Sequence, residues 1–274
     1  MTLIKSNVIP VVLTIAGSDS GGGAGIQADI KAISATGSYA CSVITAVTSQ
    51  NTQGVQAICP IPLEHIASQL DSVFTDLNIA VVKIGMLADS AIIKLVAEKL
   101  RDYSPKQIVL DPVMVATSGD LLLKSNAIED LIEYLLPLAT LITPNVPEAL
   151  ALINKSPEAF NGNLNDLIED IRELPINAAL LKGGHLNEST DSVDLLVQKH
   201  TAKPYSSTRI NTNNTHGTGC TLSSAIASYL AQGYPLVEAV DKAKRYITEA
   251  IRHADELNIG RGHGPVHHFY VLNK

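Results

Sequence analysis

A thiol sits where a glycine-rich turn runs into a helix in NTHGTGC, residues 214–220. Gly217 and Gly219 let successive backbone N–H groups turn inward, at a helix start that already leaves such groups without intrahelical partners. The result is a nest that favours negative charge, of the kind that develops on a transferring phosphoryl group. Cys220 falls in the first turn of that helix. If the nest and helix lower its pKa toward neutrality, its thiolate can take a proton from a substrate hydroxyl. Two other readings stand beside this one. By type Cys220 is also an ordinary small packing residue. With His216 as base it would be the nucleophile of a thiol hydrolase. That pair is awkwardly separated across a tight glycine turn, and a hydrolase leaves the other polar segments without a role.

Those segments are short and distinctive. DPVM (111–114) puts Asp111 at a strand end, followed by a proline that stops pairing. Asp111 is either a plain strand terminator or an oxygen ligand to Mg²⁺ through water, as is common where phosphates complete the coordination. TPNVPE (143–148) supplies Asn145 and Glu148 in a proline-framed turn before a short helix, where capping alone would account for them. In KGGH (182–185), Lys182 is a solvated lysine or, beside an anion site, a point charge on a phosphate. GSDSGGGAGIQAD (17–29) contains no G-x-x-x-x-G-K-[ST], so it is not a P-loop. Its GAGIQA fits a permissive G-x-G-x-x-A, but the loop before it is too long for the tight dinucleotide-binding turn. The glycines instead let backbone approach a small ligand closely. Asp29 is a helix-start acid or a contact to that ligand.

The elements that must position these residues alternate along the chain. Apolar runs at 11–16, 41–49, 80–85, 107–111, 140–143 and 178–183 predict strands. Helical spacing covers 24–36, 62–77, 90–102, 125–137, 220–232 and 235–257. Near-continuous apolar strands between helices indicate an α/β fold, a mostly parallel central sheet with helices on both faces. Residues 54–61 and 192–198 lack long intervening helices and predict small antiparallel additions. In an open parallel sheet ligands bind at the carboxyl ends of the strands. AGSDSGGGAG, SQN, IGM, DPVM, TPNVPE and KGGH all follow strands, which predicts one shared site.

At 274 residues, 46% hydrophobic and 17% charged, the chain can bury one large core. A net charge of −7 and the lack of basic clusters interleaved with aromatics argue against a nucleic-acid surface. No apolar run approaches a membrane-spanning length. Pro10 and the single lysine ahead of it make the first apolar segment a buried strand rather than a signal peptide. Three widely spaced cysteines without a CxxC motif suit a reducing, cytoplasmic compartment.

Taken together, TIAGSDSGGGAGIQADIKA, SQNT, KIGML, LDPVM, TPNVPEA, KGGH, NTHGTGCTLS and GPVHHF resemble the hydroxymethylpyrimidine/phosphomethylpyrimidine kinases of thiamine biosynthesis. The resemblance covers almost the whole chain. It implies a single ribokinase-like domain over residues 1–274, a three-layer sandwich, ATP and Mg²⁺ as cofactors, a small pyrimidine as substrate and a homodimer. It implies transfer to the 5-hydroxymethyl group of 4-amino-5-hydroxymethyl-2-methylpyrimidine, then a second transfer onto the monophosphate. By match to the family's motifs, Cys220 stands at the catalytic base, with Gly217 and Gly219 around the phosphoryl group. Gln50 stands at the pyrimidine position, where its amide can pair with a ring nitrogen and the adjacent amino group. Asp29, Ala24, Thr48 and Met86 fall on segments lining the substrate pocket. Lys182, Asn145, Glu148 and Thr215 fall beside the nucleotide phosphates, and Asp111 beside the metal. Pyridoxal kinases share the fold and form the nearest alternative; a non-catalytic pyrimidine-binding regulator is a third.

Overall fold

Runs such as VVLTIA make strands that are apolar on both sides, and such strands must lie between two layers. The computed structural model describes residues 8–114, 127–184 and 191–273. Residue 185 of KGGH and residues 125–126 of the expected fourth helix lie outside them. Among the described residues nine strands form one sheet in the order β3-β2-β1-β4-β5-β6-β7-β8-β9. They are β1 (Val11–Asp19), β2 (Tyr39–Asn51), β3 (Gly54–Pro60), β4 (Ile79–Ile84), β5 (Ile108–Leu110), β6 (Leu141–Ile142), β7 (Ala178–Lys182), β8 (Asp191–Gln198) and β9 (Ala202–Thr208). From β2 to β7 every pairing is parallel, whereas β3 at one edge and β8 and β9 at the other run antiparallel.

Helices cover both faces. α1 (Gly25–Ala35), α7 (Thr218–Ala231) and α8 (Leu236–Arg252) pack on Val12, Val81, Val109, Leu141, Leu180 and Leu196. α2 (Leu63–Asp76), α3 (Ser90–Tyr103), α4 (Ala127–Asp130), α5 (Val146–Leu152) and α6 (Ile168–Glu173) lie over the opposite face, on Leu13, Val82, Leu110, Ile142, Leu181 and Val197. Each pair of consecutive residues, Val12 and Leu13 or Val81 and Val82, serves opposite layers, as the period of two along a strand requires. This is the expected α/β sandwich.

Two details differ from the sequence pattern. The helix expected at 125–137 is irregular where described: α4 runs into a π-helical segment, Leu131–Leu135, and a 3-10 turn, Leu136–Leu138, where Pro137 cannot donate to an α-helical ladder. β9 was not anticipated. Its AKPYSST pattern is mostly exposed and contains Pro204, which is compatible with a strand because β9 lies at the sheet edge. No described helix is long and apolar enough to cross a membrane.

Candidate active site

Because β2, β1, β4, β5, β6 and β7 are parallel neighbours, their carboxyl ends form a row along one edge of the sheet. Thr48 and Gln50 end β2, Asp19 ends β1, Met86 follows β4, Asp111 follows β5, Asn145 follows β6, and Lys182 ends β7. Three strand spacings, about 14 Å, separate β2 from β5. The start of α7 lies across this row and joins its two halves.

On the phosphate side, Lys182 donates to Asp111 Oδ1 at 2.8 Å, and Thr143 donates to the same oxygen at 3.0 Å. Burial alone would lift the Asp111 carboxyl, but the Lys182 and Lys83 ammonium groups outweigh it and hold it below the usual range. Glu148 Oε2 lies 3.9 Å from Lys182 Nζ. Burial pushes Glu148 up to about 7 against the pull of Lys182. Asn145 and Glu148 also form the capping box of α5: Asn145 accepts from the Glu148 N–H at 2.9 Å, and Glu148 accepts from the Asn145 N–H at 2.8 Å. The capping reading therefore holds, and the same cap delivers a carboxylate to Lys182.

Gly217 begins α7 with φ +79°, and no side chain caps this helix. The N–H groups that follow Thr218, those of Gly219 and Cys220, are thus left for a ligand. The Thr215 carbonyl accepts from the Thr218 N–H at 3.2 Å and its hydroxyl at 2.7 Å, closing the turn. A Cβ on Gly219 would lie 3.3 Å from Lys182 Nζ and 3.5 Å from Asp111 Oδ2, so the nest and the charged pair abut. Cys220 comes next, with the Gly25 N–H of α1 donating to its sulfur. Its acidity differs from the sequence expectation. Burial pushes the thiol up to about 11, and the nearby Lys83 ammonium opposes this only in part. The helix start does not make a neutral-pH thiolate here.

Asp29 is fully buried, with Lys83 donating to both its oxygens at 2.8 Å, Thr14 at 2.6 Å and Ser224 at 2.7 Å. The carboxylate is spent on internal partners, and it braces α7 one turn beyond Cys220. Lys83 itself stays charged because Asp29, helped by Cys220 and Asp111, offsets its burial.

On the β2 side, Thr48 donates to the Ser18 carbonyl at 2.9 Å, and Ser20 Oγ clamps the backbone N–H and carbonyl of Gln50, each at 2.8 Å. Ala24 is the N-cap residue of α1, and its N–H donates to Asp19 Oδ2 at 2.8 Å. Met86 Sδ would lie 3.0 Å from a Cβ on Gly17, which brings it against the end of β1. Asp19 also accepts from the N–H groups of Gly21 and Gly23 and from His216 Nε2, at 2.9 Å for the last. These bonds, led by His216, outweigh burial and hold Asp19 below the usual carboxyl range. His216 is thus committed to Asp19, which leaves the thiol-hydrolase pairing without support.

Sequence reasoning missed Asp19, Lys83, Thr143, Ser223 and Ser224 as site residues. Lys83 carried a signal, a lone lysine inside the apolar strand IAVVKI. Ser223 and Ser224 carried little, since serine in a helix is usually exposed. Here Ser223 lies 3.4 Å from Asp111 Oδ2 and Ser224 2.7 Å from Asp29 Oδ1, so adjacent serines reach two different buried carboxylates of the site.

A family model described as phosphomethylpyrimidine kinase matches residues 19–267. The hydroxymethylpyrimidine/phosphomethylpyrimidine kinase of Rhizobium meliloti (strain 1021) is 50% identical over 260 residues, 95% of this chain and 97% of that protein. Among solved structures, phosphomethylpyrimidine kinase from Clostridium difficile 630 is 48% identical with a TM-score of 0.76, over 88% of this chain and 99% of that one. Bacillus subtilis pyridoxal kinase, solved as an ADP complex, is 33% identical with a TM-score of 0.88, over 97% of this chain and all of that one. These neighbours share the ribokinase-like sandwich described above. The chain belongs to the phosphomethylpyrimidine kinase family.

Proposed function

We infer that this chain phosphorylates 4-amino-5-hydroxymethyl-2-methylpyrimidine from ATP and then phosphorylates the monophosphate, giving the diphosphate for thiamine biosynthesis. The observation that carries this reading is the placement of the α7 start. Residues 216–224 touch the Gln50 side through His216 and the Lys182–Asp111 side through Gly219 and Ser223. An acceptor on one side and a phosphoryl donor on the other would therefore meet at Cys220.

The residues divide the work. Gln50 orients the pyrimidine, with Thr48, Ala24 and Met86 around it. The uncapped N–H groups of α7 and the Lys182 ammonium stabilise charge on the moving phosphoryl group, a larger contribution than proton removal in such transfers. Cys220 receives the hydroxyl proton in its thiolate form, which burial makes scarce at neutral pH and strongly basic. Lys182, Asn145, Glu148 and Thr215 border the nucleotide phosphates. Magnesium, when bound, neutralises phosphate charge. Asp111, with Glu148 nearby, suits an ion that keeps most of its waters, as Mg²⁺ does where phosphates complete its coordination. Asp29 acts from beneath, as a brace.

Pyridoxal is the second candidate substrate, because the Bacillus pyridoxal kinase has so similar a backbone. The test is ADP released per pyrimidine consumed, with limiting pyrimidine, excess Mg-ATP and a parallel pyridoxal reaction. Two ADP per pyrimidine with little pyridoxal turnover supports both steps. One ADP removes the second phosphorylation, and turnover of pyridoxal alone replaces the substrate.

A further inference from the structure

The tip of the β2–β3 hairpin overhangs the sheet. β2 pairs with β1 as far as Asp19 and Thr48, then continues through Gln50 to Asn51, paired there with β3. β3 is exposed along most of its length, so little core supports this end. A two-stranded hairpin is marginal by itself. Ser20 fastens the Gln50 backbone to the loop after β1, but that clamp does not reach α7.

A run of backbone at residues 260–268, GRGHGPVHH, does reach both. Thr52, two residues past Gln50, takes three consecutive N–H groups from it. Its Oγ1 accepts from Arg261 at 3.2 Å and Gly262 at 3.1 Å, and its carbonyl from His263 at 2.8 Å. The next N–H, that of Gly264, donates to Asn214 Oδ1 at 3.0 Å, in the loop before α7. The Gly264 carbonyl accepts from the His216 N–H at 3.0 Å, and Val266 returns an N–H to the His216 carbonyl. His268 Nε2 then lies 2.9 Å from Thr221 Oγ1, in the first turn of α7 beside Cys220. The fit is close, since a Cβ on Gly262 would overlap the Thr52 carbonyl.

We propose that Thr52 is a positioning residue: by binding this strap it fixes the place of Gln50 relative to the start of α7, and so aligns the acceptor hydroxyl with the phosphoryl nest. The inference rests on the kinase reading above. The rate of a transfer is steep in the alignment of its reacting groups, and a displacement of about 1 Å can cost ~10²-fold. An overhanging hairpin released from its tie is free to move by that much. The Lys182–Asp111 side takes no part in the tie, so the hold on ATP does not depend on it.

The experiment measures kcat and the KM values for pyrimidine and ATP in the wild type, Thr52→Val, Thr52→Ser, Gly262→Ala and the double variant Thr52→Val with Gly262→Ala. Thr52→Val keeps the branched shape and loses the hydroxyl acceptor. It should lower kcat/KM for the pyrimidine by ~10- to 100-fold while the KM for ATP stays within about twofold. Gly262→Ala opens the same tie from the other side and should act alike. Because both changes break one contact, the double variant should be no worse than the worse single one. Thr52→Ser keeps the hydroxyl and should retain most of the wild-type efficiency. Unchanged pyrimidine turnover in Thr52→Val overturns the proposal, even if Gly262→Ala fails to fold. So does a KM for ATP that rises in parallel, which would make the strap a general prop, or a double variant in which the two losses multiply. A wild type that turns over pyridoxal alone removes the pyrimidine reading, and the same comparison with pyridoxal then decides the role of Thr52. A wild type that phosphorylates neither compound removes the kinase reading and this inference with it.

Discussion

Lys83 donates to both carboxylate oxygens of Asp29, at 2.8 Å each, in a place where neither side chain meets solvent. The pair links β4 to α1, and Ser224 extends it to α7. Removing one partner strands a buried charge, which typically costs about 3–5 kcal/mol, whereas removing both is far milder. Lys83→Met should therefore destabilise the protein strongly, and Lys83→Met with Asp29→Asn should recover much of the loss. Urea midpoints at constant m-value measure both. Additive losses would mean that the two side chains do not act as a pair.

The Cys220 thiol, lifted to about 11, sets the shape of the pH–rate profile. Below that value the thiolate fraction grows about tenfold per pH unit. If Cys220 is the base, kcat at saturating substrate should keep climbing between about pH 7 and 9, without a plateau near neutrality. Cys220→Ala should lose ~10²–10⁴-fold in turnover and flatten the profile. A flat wild-type profile would leave Cys220 as a packing residue.

Glu148 titrates in the opposite sense from a paired surface carboxylate. Its folded pKa of about 7 exceeds the ordinary 4.5, so the neutral acid is favoured in the folded state. Its contribution to stability is complete below the unfolded value and is lost as pH rises through about 7. Glu148→Gln, which stays neutral and keeps an acceptor for the Asn145 N–H, should become more stable relative to wild type as pH rises from about 5 to 8. Parallel melting curves across that range would contradict the raised value.

Gly217 and Gly219 separate a conformational need from a steric one. At Gly217, φ is +79° and a Cβ would lie 1.8 Å from the Gly23 carbonyl oxygen. Gly217→Ala should cost at least about 1–3 kcal/mol and most of the turnover, because the loop after β1 must move. At Gly219 a Cβ meets the Lys182 ammonium and the Asp111 carboxylate at 3.3 and 3.5 Å. Gly219→Ala should melt near the wild-type temperature while raising the KM for ATP. Equal effects of the two on melting temperature would remove the distinction.

Much of this organisation follows from the sequence alone. Strands buried on both faces need unbroken apolar runs, so VVLTIA and AVVKIG announce β1 and β4, and helix periods between them announce the covering layers. A parallel sheet gathers its strand ends on one edge, which is why AGSDSGGGAG, DPVM, TPNVPE, KGGH and NTHGTGC could be read as one site. Tertiary structure decided what those local patterns do not encode. Asp29 sits at the start of a helix either way, but Lys83, from a strand far along the chain, turns it inward. Cys220 occupies a helix start that favours a thiolate, yet desolvation at its half-buried place pushes the thiol up. His216 was four residues from Cys220 in the chain and is bonded instead to Asp19, 197 residues away. Periodicity reports which residues are apolar and where the chain turns. The direction of a buried polar group, and hence its charge and its partner, depends on contacts between distant elements that exist only once the sheet has formed.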